Sequence, residues 1–200
     1  MLDKSLKSLF DPLINLLAKS IFFSNFNANQ ITIIGFFLSL SSFIFILNNQ
    51  LYLALMFFIL GRFFDCIDGA IARKQGITDF GGFLDIVLDF ISYSLIVLGF
   101  TLMIDKNTIP GAILLSSFFG TSSSFLAFAI FFHKKTKINS INGKSFFHVG
   151  GILGGTETFI AISLMFLFPL YFSYIAFTFS FLCICNSSIA SVTGRQQEVL

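Results

Sequence analysis

The chain has 200 residues, 56% of them hydrophobic and only 11% charged, with a mean hydropathy of +0.90. That balance, with 31 Phe, excludes an ordinary soluble domain and indicates a membrane protein of one domain, residues 1–200. A formal net charge of +2 is too small to point to nucleic acid. Cys66, Cys183 and Cys185 all lie in apolar runs and offer neither a disulfide framework nor zinc-ligand spacing.

Taken in order, residues 1–24 place Leu2, Leu6, Leu9, Leu13, Leu16, Leu17 and Ile21 at helical spacing, with Asp3, Lys4, Lys7, Asp11 and Lys19 between them. This predicts an amphipathic helix lying in the membrane interface, divided at Asp11-Pro12; the charges and the missing cleavage site argue against a signal peptide. After the polar break Asn27-Ala28-Asn29-Gln30, six apolar segments follow at about 31–48, 51–72, 80–104, 109–132, 152–169 and 171–190. Each approaches or reaches the ~20 residues that cross a bilayer as helix, so the chain reads as an all-α bundle of six transmembrane helices over 31–190. The breaks Asn48-Asn49-Gln50 and Asp105-Lys106-Asn107, and Pro169, fall on one side. Lys106 is the single Lys or Arg there, and the eleven others lie on or near the opposite side. The positive-inside rule makes that opposite side, with both termini, cytoplasmic.

The stretch 65–89, DCIDGAIARKQGITDFGGFLDIVLD, carries four carboxylates in apolar surroundings: Asp65, Asp68, Asp85 and Asp89. The spacings i, i+3 and i, i+4 put each pair on one helical face, at the facing ends of the second and third segments. Charges in such segments are functional candidates by default, and converging carboxylates call for cations; hard divalent ions such as Mg²⁺ take oxygen ligands of this kind.

The order Asp65-x-x-Asp68-Gly69-x-x-Ala72-Arg73, then Gly81-x-x-x-Asp85-x-x-x-Asp89, resembles the signature of the CDP-alcohol phosphatidyltransferases, D-x-x-D-G-x-x-A-R-x8-G-x-x-x-D-x-x-x-D. All fixed residue types are present, and one spacing departs: seven residues separate Arg73 from Gly81, a loop shortened by one. The run Ser123–Ala129 and a Lys-Ser-Phe…Gly-Thr-Glu-Thr pattern resemble a bacterial inner-membrane branch of that family. The resemblance implies an enzyme that moves the phosphatidyl group of a CDP-linked lipid to a small alcohol acceptor and releases CMP. It also implies Mg²⁺ or Mn²⁺ as cofactor, a homodimer, and an active site at the cytoplasmic face of the bacterial inner membrane.

On the same resemblance Asp65, Asp68, Asp85 and Asp89 hold metal, and Asp89 looks like the base that takes the acceptor hydroxyl's proton. Asp68, Gly69, Ala72, Arg73 and Gly81 approach the CDP moiety. So do Asn29 and Thr32, in Asn29-Gln30-Ile31-Thr32, which is similar to the family's P-N-x-[LI]-T with Ala28 in the proline's place. A helix N-cap explains Asn29 equally well. For the acceptor, Lys134, Lys135 and Lys144 form a basic loop suited to a phosphate, against the plainer reading of a positive-inside flank. Glu157 either meets a cationic or polyhydroxy acceptor or caps the fifth helix. Two other readings compete: an intramembrane prenyltransferase, whose motifs lack Gly69-x-x-Ala72-Arg73, and a cation- or proton-coupled carrier, which an internal repeat would favour and this sequence does not show.

Overall fold

A computed structural model describes residues 26–136 and 154–198. The interfacial helix expected over residues 1–24 lies outside them, as do Lys144 and the part of the basic loop beyond Thr136. The described residues are helical, with no strand among them. They form α1 (Ala28–Leu47), α2 (Leu51–Gln75), α3 (Asp79–Met103), α4 (Thr108–Thr136), α5 (Gly155–Leu167) and α6 (Phe172–Glu198), with one-turn 3₁₀ segments at Asp105–Asn107 and Pro169–Tyr171. These helices coincide with the six apolar segments. Among the described residues, α1, α3 and the stretch Pro169–Asn186 are long and apolar enough to cross a membrane, while α5 is a shorter apolar helix.

The turns follow from local chemistry. Asn49, at φ 60°, takes the left-handed conformation that Asn tolerates better than most side chains, and so lets α1 reverse into α2 within Asn48-Asn49-Gln50. Asn107 is buried against the helix ends it joins. Its amide donates to the Phe100 carbonyl (3.0 Å), and its Oδ1 accepts from the Ser173 hydroxyl (3.3 Å).

Packing runs mainly between α1 and α2, α1 and α3, α3 and α4, and α4 and α6, with α5 against α6, α2 and α3. One buried core links all six helices, from Ile46 through Phe58, Phe100 and Leu114 to Met165 and Phe172. Phe58 stacks on Phe159 and meets Phe166, and Phe100 touches both Phe166 and Phe172, with ring centroids 5.0–5.6 Å apart. Large apolar side chains on the outside, such as Phe37, Phe119 and Phe181, stay exposed, as a lipid-facing surface requires.

Without a hydrophobic force between helices in lipid, close packing must come from small residues and hydrogen bonds. The α1–α2 crossing shows both. A Cβ on Gly61 would sit 2.7 Å from Ser39 Oγ and 3.0 Å from the Gly35 carbonyl, so only glycine permits this approach. Ser42 donates to the Ala54 carbonyl at 2.7 Å. In contrast, α2 and α3 have few close backbone approaches even though three residues join them. The short loop does not pack these helices together; α1 braces both, and α2 and α3 meet through side chains across a cleft.

Candidate active site

The cleft is where the charges are. Gly76 ends α2 at φ +106°, a conformation other residues rarely adopt. Thr78 then caps α3, accepting the Gly81 N–H on its hydroxyl at 3.0 Å. The antiparallel reversal faces Asp65 and Asp68 on α2 toward Asp85 on α3. Each of the three offers a carboxylate oxygen, and these oxygens all lie within 4.8 Å of one another. Asp68 is 4% exposed, and its Oδ2 has no hydrogen-bond partner among the described residues. Three converging hard oxygen donors, one of them buried and unpartnered, fit a divalent cation of the Mg²⁺ or Mn²⁺ type.

Asp89 lies outside that group of three, one turn further along α3. Its Oδ1 accepts from Arg62 Nη1 at 2.5 Å. The same nitrogen stands 3.6 Å from Asp65 Oδ2 and 3.1 Å from the Tyr93 hydroxyl, and the guanidinium lies over the Tyr93 ring, 4.9 Å from its centroid. Asp65 thus borders both clusters, with Asp85 on one side and Asp89 on the other. Arg62 is the residue that sequence reasoning missed, because it was counted with the positive-inside charges. The available signal was local: Arg62 and Asp65 are spaced i, i+3, and Arg62 sits further from the α2 terminus than any other Arg or Lys of that helix.

The residues expected near a nucleotide gather at the loop end of the cleft. Gly81 faces Asn29: a Cβ there would meet Asn29 Oδ1 at 3.0 Å and Thr78 Oγ1 at 2.9 Å. A Cβ on Gly69 would meet nothing nearer than Arg73 Nη1 at 3.6 Å, so this face of α2 is open. Thr32 is buried, donates to the Ala28 carbonyl at 3.0 Å, and neighbours the Asp68 carboxylate. Ala72 is half-buried, and Arg73 is exposed on the last turn of α2.

Asn29 is not the N-cap. That position belongs to Asn27, whose N–H donates to Gln30 Oε1 at 3.0 Å, which leaves Asn29 inside the first turn of α1 with its side chain toward Gly81. Gln75, not singled out in the sequence, ties the two helices: it donates to the Phe26 carbonyl (2.9 Å) and accepts from the Ala28 N–H (3.3 Å).

Of the expected acceptor residues, Lys144 lies outside the described residues. Lys134 and Lys135 lie on the last turn of α4, whose side chains there fall outside the described ones. Glu157 caps α5, its Oε2 accepting the Gly154 N–H at 2.9 Å.

The chain belongs to the CDP-alcohol phosphatidyltransferase family, whose profile matches residues 25–186. It is 38% identical over 185 residues to the inner membrane protein YnjF of Escherichia coli K12, covering 92% of this chain and 90% of that one. It is 46% identical over 76 residues to the archaetidylinositol phosphate synthase of Pyrococcus horikoshii, covering 37% of this chain and 40% of the other. The Mycobacterium tuberculosis phosphatidylinositol phosphate synthase PgsA1 with CDP-DAG bound superposes with a TM-score of 0.65 over 92% of each chain, at 19% identity. The same enzyme in complex with manganese and citrate gives 0.58, covering 92% of this chain and 87% of that one. At that identity the likeness shows a shared fold. The family uses divalent metals, and the carboxylates of the cleft supply ligands suited to one.

Proposed function

We infer that the protein is an integral membrane enzyme that transfers the phosphatidyl group of CDP-diacylglycerol to an alcohol and releases CMP. The observation that carries this reading is the convergence of Asp65, Asp68 and Asp85 across the α2–α3 cleft, within a chain that carries every fixed residue of the family motif. Asp65, Asp68 and Asp85 would hold the divalent cation. When bound, it neutralises pyrophosphate charge as the bond to CMP breaks.

The chain's own residues do the rest. Gly69 and Gly81 leave backbone open for the nucleotide, with Asn29 and Thr32 on the α1 side and Arg73 beside the phosphates. The acceptor oxygen attacks the lipid-side phosphorus, the phosphoanhydride bond breaks, CMP leaves with that electron pair, and the hydroxyl proton passes to Asp89. Asp89 is one turn beyond Asp85 along α3, on the side away from the α2–α3 loop. Alignment of the acceptor there must supply much of the rate, because a carboxylate is a weak base.

The six helices are read as six membrane spans, with the loop end of the cleft and both termini facing the cytoplasm. The Lys and Arg asymmetry supports that orientation, and the likeness to an inner membrane protein supports the bacterial inner membrane. Lys134, Lys135 and Lys144 are proposed to meet an acceptor phosphate from the loop after α4, while Glu157, engaged as a helix cap, is the weaker acceptor candidate. The test is CMP release by the purified protein from CDP-diacylglycerol with Mg²⁺ or Mn²⁺ and a panel of alcohols with and without a phosphate. Release that depends on one alcohol supports the reading; no release with any of them, from protein that remains folded, removes it.

A further inference from the structure

The four motif carboxylates touch through Asp65 but do not all converge on one point. Three share a cation-sized space, and the fourth is held by an arginine that the motif does not contain. The Arg62 guanidinium is fixed from several directions: Asp89 accepts from Nη1, the Tyr93 hydroxyl lies against the same nitrogen, the Tyr93 ring lies beneath the plane, and Asp65 stands alongside. Its side chain is 11% exposed. Asp65 has carboxylate neighbours in both clusters, as a bridging ligand would in a two-ion centre. In this chain the Arg62 guanidinium lies against both Asp65 and Asp89, the pair that a second ion would use.

We propose that Arg62 is a built-in cation standing where a second divalent ion would otherwise bind, so that this site takes one ion, on Asp65, Asp68 and Asp85, and leaves Asp89 outside metal coordination. A second ion would have to displace Arg62 from Asp89 or sit against a guanidinium of the same sign. Arg62 is therefore a positioning residue: it keeps Asp89 aimed along the cleft and fixes the outer edge of Asp65. That use of Asp89 rests on the phosphatidyl-transfer reading; the ion count does not.

The experiment is a Mn²⁺ titration of the purified chain in detergent without any CDP-lipid, reading free Mn²⁺ by electron paramagnetic resonance. Wild type binds one Mn²⁺ per chain. Asp89→Asn leaves that count unchanged and weakens the ion by less than the ~10-fold typical of losing a ligand's supporting partner; Asp68→Asn weakens it strongly. Arg62→Gln admits a second ion, which Arg62→Gln/Asp89→Asn removes again, and Arg62→Lys keeps the count at one. Two ions in wild type, or a lower count in Asp89→Asn, overturns the proposal. Both measurements stand whether or not Arg62→Gln folds. A chain that binds one Mn²⁺ as described yet releases no CMP with any acceptor defeats the functional reading and leaves the ion count intact.

Discussion

Asp89→Asn separates proton transfer from substrate binding. In the folded protein, Asp89 meets Arg62 at 2.5 Å, and Asn keeps an oxygen of the same shape as an acceptor for that nitrogen. Arg62 also retains Asp65 at 3.6 Å and Tyr93 at 3.1 Å. The stability loss should therefore be that of weakening one charge-assisted hydrogen bond, about 1–3 kcal/mol. Orphaning a buried ion would cost more, about 3–5 kcal/mol. Turnover should fall much further, by ~10²–10⁴-fold for loss of a general base. That corresponds to about 2.7–5.4 kcal/mol in the barrier, and it should appear in kcat with the donor KM little changed. The assay is CMP release at saturating acceptor, beside a titration of CDP-diacylglycerol binding at fixed Mg²⁺ and a thermal unfolding scan. Asp68→Asn is the control, since that carboxylate sits in the group of three and its loss should weaken metal and donor together. If Asp89→Asn weakens donor binding as much as Asp68→Asn does, or turns over like wild type, Asp89 has no separate role as base.

Gly61→Ala places a methyl 2.7 Å from Ser39 Oγ and 3.0 Å from the Gly35 carbonyl, so α1 and α2 must part, at about 1–3 kcal/mol by analogy with overpacked cores; a lowered melting temperature in detergent checks it. Gly69→Ala meets nothing nearer than 3.6 Å and should leave that temperature unchanged while weakening CDP-diacylglycerol binding. Asp85→Asn should abolish CMP release in protein that still inserts and purifies, and EDTA should do the same to wild type until Mg²⁺ is restored; activity persisting in metal-free buffer would contradict the metal assignment. In a chain with Cys66, Cys183 and Cys185 replaced by Ser, Asn49→Cys and Lys106→Cys, both exposed in the turns, should react with an impermeant thiol reagent added from the periplasm, and Asn139→Cys should not. Asn107 is unsuitable for that label because it is 1% exposed.

What could be read from the sequence was local in origin. Helix positions followed from apolar runs of bilayer length, and the facing of Asp65 with Asp68, and of Asp85 with Asp89, followed from helical spacing alone. The breaks at Asn48-Asn49-Gln50 and Asp105-Lys106-Asn107 were visible because polar residues cluster there. The relations between helices were not legible in the same way. Whether Asp89 joins the other three depends on the rotation of α3 relative to α2, and on a partner 27 residues away in sequence. The open α2–α3 cleft depends on α1 packing against both helices, and that depends on Gly35 and Gly61, which no periodic pattern singles out. Asn29 was ambiguous because a polar residue at a helix start serves either as a cap or as an inward side chain. Asn27 resolves it by taking the cap.

The central claim, that the phosphatidyl group itself moves to an alcohol, is tested most directly by labelling the lipid-side phosphorus of CDP-diacylglycerol. The account predicts that, with Mg²⁺ or Mn²⁺ and the right alcohol, the label leaves the donor and appears in a new phosphodiester lipid, with one unlabelled CMP formed per labelled product. Label recovered in phosphatidic acid, formed at the same rate with or without an alcohol, would show hydrolysis of the donor and contradict the account.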